Sequence, residues 1–329
     1  MTMRLRALAG GIAGALAIAL AAGTAQALQT RWIVATGFAE TNFQTQNVRA
    51  FAEDVKAATD GRLEMVVHSG ASLVRLPDIL RAVQTGQVQG GDVLLFLHGN
   101  QDPFFEVDTI PFVAVGYDEA RRLYELQRPT LDRRLGERGV RALFYVPWPG
   151  QGIVSQKPIE SAADLKGSKM RTAGQTTARF AELLGAAPTV VQTAEISQAF
   201  FTGLVDSSIY SPTTGVDTQA WDYAKYFHNT RAMHSKDAFV VNQRAFDALS
   251  DDLKQAVLEA AAQAETRGWE MSQRRETEAL EEIGQHGMQV VEPSEMLMTE
   301  LRKVGADMLN EWVVKAGDEG KALRDAMKR

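Results

Sequence analysis

The stretch from Ser250 to Gln285 opens on Ser-Asp-Asp, holds no proline and stops at Gly287, so it reads as one uninterrupted helix. At about 1.5 Å per residue it would run roughly 50 Å, further than one small domain is wide. A helix of that length must project or lie across two packed bodies. Its apolar positions, among them Leu253, Val257, Ala261 and Ile283, favour one side without holding a heptad, so packing on a globular core is preferred to a coiled coil. Gly268, in mid-course, reads as a kink site.

Two cores are indeed available in the remaining sequence. Arg31–Ala35 is strand-like, 42–59 has helical spacing of Phe43, Val48, Phe51 and Val55, and Arg62–His68 is a second strand. A short helix from Pro77 to Gln84 follows, and then Asp92–Leu97, an apolar run read as a buried strand of a parallel sheet. Such alternation is the pattern of an α/β domain. Pro147-Trp148-Pro149-Gly150-Gln151-Gly152 is the strongest break in mid-chain, and the pattern restarts beyond it with strands at Ile153–Ser155, Lys169–Arg171 and Thr189–Val191 and a helix over 176–184. Ala238–Val241 reads as a strand returning to the first domain. The expected organisation is therefore α/β and two-lobed. Residues 28–147 with about 237–275 form one lobe, 148–236 with about 276–329 form the other, and the long helix spans both.

Residues 1–27 carry Arg4 and Arg6, an apolar run over 7–22 and the small-residue pattern Ala25-Gln26-Ala27 without an acid. This is the layout of a secretory signal peptide cleaved after Ala27, which predicts a periplasmic protein. The formal charge of −6 argues against a nucleic-acid partner, and the absence of cysteine excludes disulfides, iron–sulfur clusters and thiolate nucleophiles. No phosphate-binding glycine motif or nucleophile elbow is present, and the five histidines show no metal-ligand spacing and read as surface or loop residues. Neither a cofactor nor a metal is expected.

Lys157-Pro158-Ile159, Asp164-Leu165-Lys166-Gly167-Ser168-Lys169-Met170-Arg171, Leu184-Gly185-Ala186-Ala187-Pro188 and Gly203-Leu204-Val205-Asp206 stand in an order and spacing that resemble the solute-binding proteins of tripartite ATP-independent periplasmic (TRAP) transporters. Upstream, Val83-Gln84-Thr85-Gly86 and Asp108-Thr109-Ile110-Pro111-Phe112 extend the likeness over nearly the whole chain after the leader. The resemblance implies a protein that is not an enzyme. Its two lobes close on a small organic acid, which is then delivered to a small and a large membrane permease subunit. It also implies that Arg171 binds the ligand's carboxylate, a role suited to a planar guanidinium, which offers two parallel hydrogen bonds.

Departures from the family pattern bear on the ligand. Gln151 stands where many members have a second arginine, Tyr210 takes the place of a ligand-facing asparagine, and Thr193 that of an aromatic. The strand that often ends in a ligand-facing glutamate ends here as Leu95-Phe96-Leu97. A sugar acid would leave hydroxyls unpaired against such a wall, at about 1–3 kcal/mol each. A smaller, partly apolar or aromatic monocarboxylate is therefore expected, held by Arg171 with Trp148, Gln151, Tyr210, Thr193, Phe96, Leu97, Phe38 and Thr36 as further candidates. A C4-dicarboxylate or sugar acid on the same fold is the alternative reading. A periplasmic enzyme, with Glu40 and His98 as acid and base, or a sensor protein are readings of another class.

Overall fold

The computed structural model describes residues 29–328. The leader read over 1–27 and its cleavage point after Ala27 lie outside the described residues. In chain order the elements are β1 (Thr30–Ala35), α1 (Phe43–Ala58), β2 (Leu63–His68), α2 (Ile79–Thr85), β3 (Gly90–Leu94), α3 (Gly116–Gly136), β4 (Val140–Pro147), β5 (Gly152–Ser155), β6 (Lys169–Thr172), α4 (Gln175–Leu183), β7 (Ala187–Val190), α5 (Ile196–Phe201), β8 (Ser207–Tyr210), α6 (Pro212–Asp217), β9 (Tyr226–His228), β10 (Lys236–Asn242), α7 (Gln243–Asp247), α8 (Asp251–Gln285), β11 (Gln289–Val291) and α9 (Glu295–Met327).

They build two sheets. The first has the order β2-β1-β3-β10-β4 and the second β11-β9-β5-β8-β6-β7. β1 runs parallel to β2 and β3, while β10 inserts antiparallel between β3 and β4, so the first sheet is mixed rather than parallel. The chain passes from one sheet to the other between Pro147 and Gly152 and returns between His228 and Lys236. These two crossings are tied together: Trp148 N–H donates to Ser235 O at 2.7 Å, Gln151 N–H to Met233 O at 3.0 Å and Ala232 N–H to Gln151 O at 2.8 Å.

Local sequence explains much of this layout. Asn42 caps α1 by accepting from Gln44 N–H, Gly86 ends α2 in the left-handed region, and Ser294 caps α9 by accepting from Leu297 N–H. Phe51, Phe144 and Phe239 fill the core of the first body, with the rings of Phe144 and Phe239 stacked at 5.0 Å.

Helix α8 packs on α1 and β4 through its first half and on α6 and β11 further along, so it spans both sheets. Gly268 is not a kink. The helix continues through it, and a Cβ there would overlap Val146 and stand 2.7 Å from Asn47 Nδ2, so glycine lets α8 lie directly on β4 and α1. A second long helix, α9, is interrupted only at Gly317, whose φ is 65°. The run Asp92–Leu97 also differs from expectation. The strand ends at Leu94, and Leu95–His98 turns as a 3₁₀ helix, a distinction that an unbroken apolar run does not encode. Three of the five histidines, His98, His228 and His234, are buried rather than superficial. No helix among the described residues is long and apolar enough to cross a membrane.

Candidate functional site

The carboxyl ends of β1, β3, β6 and β8 and the two crossings converge on one cavity of about 50 Å³. By the same measure a single water needs roughly 10–15 Å³, so the space suits a compact small molecule. Ligands in α/β proteins lie where strands deliver their carboxyl ends, because the loops there are free to vary while the strands hold them rigidly.

Arg171 leads the second sheet's contribution. It sits on β6 beside Thr189 and Ser208, is 4% exposed, and donates Nε–H to Val191 O at 2.9 Å. That bond orients the guanidinium and leaves its two terminal nitrogens without a protein acceptor among the described residues. No carboxylate lies within 4 Å of it there either, and no other ionisable cation or acid lines the cavity. Burial pushes the Arg171 pKa down to about 10, with Tyr210 and Tyr223 pulling the other way, so the group remains a cation at neutral pH. A buried cation without a counter-charge is costly unless an anion completes it.

Tyr210, Thr193, Ile209, Ser211 and Thr214 line the same side. The Tyr210 hydroxyl is engaged behind the cavity with that of Tyr223 at 3.0 Å, which in turn meets Thr218 Oγ1 at 2.6 Å. Burial pushes the Tyr210 phenol well up, so it stays neutral.

The facing side is aromatic. Trp148 presents its ring edge-on to Phe38 at 4.9 Å and to Phe43 at 5.2 Å, and its indole N–H donates to Asp237 Oδ1 at 2.9 Å. Phe38, Leu94, Phe96 and Trp148 form this wall, and Gln151 reaches it from the crossing with Nε2–H bonded to Ser235 Oγ at 3.0 Å. The two sides touch beyond the cavity as well: Asn42 Nδ2–H donates to Asp217 Oδ2 at 2.7 Å, and Thr176 Oγ1–H to Glu106 Oε2 at 2.7 Å.

Of the nine residues singled out in the sequence, Arg171, Trp148, Gln151, Tyr210, Thr193, Phe96 and Phe38 line the cavity. Thr36 and Leu97 do not. Thr36 is buried behind the wall, where its hydroxyl meets Thr45 Oγ1 at 3.2 Å and Asp92 Oδ2 at 3.5 Å, and Leu97 is half-buried beside Gly174. Leu94, Ala173, Ile209, Ser211, Thr214 and Ser235 were not anticipated. For Ser211 and Thr214 a signal existed, since Ser211-Pro212-Thr213-Thr214 is a helix start in which Ser211 Oγ accepts from Thr214 N–H. The two groups considered for acid–base work lie elsewhere. Glu40 is exposed and paired with Arg49, and His98 is buried, its pKa pushed down to about 4 by burial. No cluster of three potential metal-ligating side chains occurs among the described residues.

The family model of bacterial extracellular solute-binding proteins, family 7, matches residues 34–315. Among curated relatives, the C4-dicarboxylate-binding periplasmic protein DctP of Rhodobacter capsulatus is 27% identical over 65% of this chain and 65% of its own. Among solved structures, DctP7 of Bordetella pertussis, an extracytoplasmic solute receptor binding pyroglutamic acid, superposes with a TM-score of 0.90 at 42% identity, covering 91% of this chain and 100% of that one. A marine metagenome TRAP solute-binding protein specific for pyroglutamate gives 0.89 at 33% identity, covering 92% and 99%. The chain belongs to this family, the solute-binding proteins of TRAP transporters, which are periplasmic receptors for small acids that work with membrane permease components and are not enzymes.

Proposed function

We propose that this chain captures a compact monocarboxylate of the pyroglutamate class, pairs its carboxylate with Arg171 between two closing lobes, and hands it to the permease. Residues 28–147 with about 237–275 would form one lobe and 148–236 with about 276–329 the other, after loss of a leader at Ala27. The observation that carries the reading is the Arg171 guanidinium, 4% exposed, aimed at a cavity and lacking any acidic partner among the described residues. Enclosure strengthens such a pair because little water remains to screen it. One cation in the lining supports one carboxylate, and Gln151, where a second arginine would serve a second acid, is neutral. The aromatic wall of Phe38, Phe96 and Trp148 suits a small ring better than a row of hydroxyls. Structural relatives at 42% and 33% identity that bind pyroglutamate give independent support.

Lobe closure then follows as a population shift. The acid is met first by Arg171, and contacts with the wall are made only in the closed form, so the ligand stabilises that form by the difference in contacts. Titration calorimetry and thermal shift with pyroglutamate, succinate and glucuronate test the reading. Pyroglutamate at about 100 times its Kd should add about 2.7 kcal/mol of stability, seen as a rise of several degrees in Tm. A rise with succinate or glucuronate and none with pyroglutamate would overturn the monocarboxylate assignment.

A further inference from the structure

Behind the aromatic wall lie two acids the ligand reading leaves unused. Asp92 on β3 and Asp237 on β10 are 2% and 1% exposed, and because Asp92 pairs with Phe239 and Leu94 with Asp237, the two acids are diagonal neighbours on one face of adjacent strands. Two carboxyls can bond only if a proton lies between them. Consistent with this, Asp237 Oδ2 has no N–H or hydroxyl donor among the described residues. Each end of the pair is tied to the wall. Asp237 Oδ1 accepts the Trp148 indole N–H at 2.9 Å. At the other end Thr36 Oγ1–H reaches Asp92 Oδ2 at 3.5 Å, and the same hydroxyl accepts the backbone N–H of Phe38 at 3.3 Å. Two of the aromatic residues facing the cavity thus hang from opposite ends of one buried chain.

We infer that Thr36, Asp92 and Asp237 form a positioning unit that sets Trp148 and Phe38 against the ligand, so that the shape selectivity of the site depends on a proton shared between the two carboxyls. The inference rests on the cavity being the ligand site, and it explains why Thr36 sits near the site without lining it. The first ionisation of the pair leaves one charge, spread over both groups. A second would place two buried carboxylates side by side, which burial and mutual repulsion both resist. Burial pushes Asp92 up to about 7 and also holds Asp237 well above the usual carboxylate range, where the field of Asp92 adds to it. The other charged groups at the pair are Asp108, whose field adds to that of Asp92, and Lys236, which neutralises Asp108 at 2.9 Å. Thr36, just after β1, and Thr45, on α1, are uncharged.

Asp92→Asn separates positioning from bulk packing, because its amide N–H can take the place of the shared proton while removing the second ionisation. The readout that needs no ligand is the Trp148 indole N–H resonance, assigned among the five tryptophans by its absence in Trp148→Phe. In the native protein it should shift as pH rises through about 7, and in Asp92→Asn it should stay still. With pyroglutamate as probe, Asp92→Ala should raise Kd about tenfold and Asp92→Asn by less than about threefold. Identical titration of the resonance in both proteins, or none in the native one, overturns the proposal. So does an Asp92→Ala protein that binds as the native one does and only melts lower. Should Asp92→Ala fail to fold, the resonance comparison decides alone. Should pyroglutamate not bind the native protein, the ligand reading falls while the resonance still tests the positioning unit.

Discussion

On the second sheet's side the cavity is met by Arg171, Thr193, Ser211 and Thr214, whereas the first sheet and the crossing answer with Phe38, Leu94, Phe96 and Trp148. The first group offers charge and hydroxyls, and the second offers aromatic and aliphatic surface and no charge. Such a division separates two tasks. On the proposed reading, a single guanidinium would bind any carboxylate small enough to enter, and so would supply strength with little discrimination. The aromatic wall has no directional partner to give a polyhydroxylated chain, and on the same reading would discriminate by shape. Within this division, Arg171 should matter for every acid tested, and the wall for which acid is preferred.

The comparison breaks most completely at Arg171. Arg171→Met removes the charge but keeps much of the length. Loss of the partner from an enclosed carboxylate costs on the order of 3–5 kcal/mol, or about two to three and a half decades in Kd, for pyroglutamate and for any other monocarboxylate that binds. The same change relieves a ligand-free protein of a buried cation with no counter-charge, so the Tm of the unliganded variant should equal or exceed that of the native protein. Calorimetry checks the first statement and thermal melting the second. Tight binding by the variant would show that the carboxylate is held elsewhere.

Trp148→Phe sharpens the contrast from the opposite side. Phenylalanine keeps an aromatic face but cannot donate to Asp237, which loses its 2.9 Å partner, and it leaves part of the indole's volume unfilled. We expect roughly tenfold weaker pyroglutamate binding and a narrower preference over open-chain monocarboxylates of similar size, measured as the ratio of their Kd values. A uniform loss across all the acids would assign Trp148 to strength rather than to selection.

How much of this could be read from the chain depends on how local each signal is. That Arg171 lines the cavity could be anticipated because its motif, Asp164 to Arg171, is contiguous and no acid stands beside it. The short apolar strands and the uninterrupted run of α8 were legible for the same reason. Phe96 and Leu97 were assigned to the end of a strand because an apolar run carries no mark that distinguishes extended chain from a buried 3₁₀ turn. Helix α3 went unread, and Pro129 lies inside it where a proline ordinarily signals a break. Gly268 gave the right alarm and the wrong cause, since the approach of Val146 and Asn47 comes from elements distant in sequence. The Asp92–Asp237 pair was beyond reach, because it exists only once β10 inserts beside β3, and no single sequence announces strand order.

The smallest expected effect lies where the two sides of the cleft touch directly. Asn42 is buried at the start of α1, its Oδ1 capping that helix while its Nδ2–H donates across the cleft to Asp217 Oδ2 at 2.7 Å. Burial pushes the Asp217 carboxyl up, and the hydrogen bond from Asn42 opposes that shift, so opening the cleft returns the carboxylate to water and costs the closed form little more than one bond. Asn42→Asp isolates the latch from the cap. It keeps a side-chain oxygen for Gln44 N–H but sets a second acid against Asp217, which favours the open form at neutral pH. We expect pyroglutamate Kd to rise about three- to tenfold at pH 7, with a larger radius of gyration of the ligand-free protein by small-angle scattering. Both changes should shrink towards about pH 5, where one of the two carboxyls can hold a proton and bond the other. Arg171→Met should show no such pH dependence of its loss, because the missing cation has no titrating substitute, and that difference separates failure of the latch from failure of the anchor.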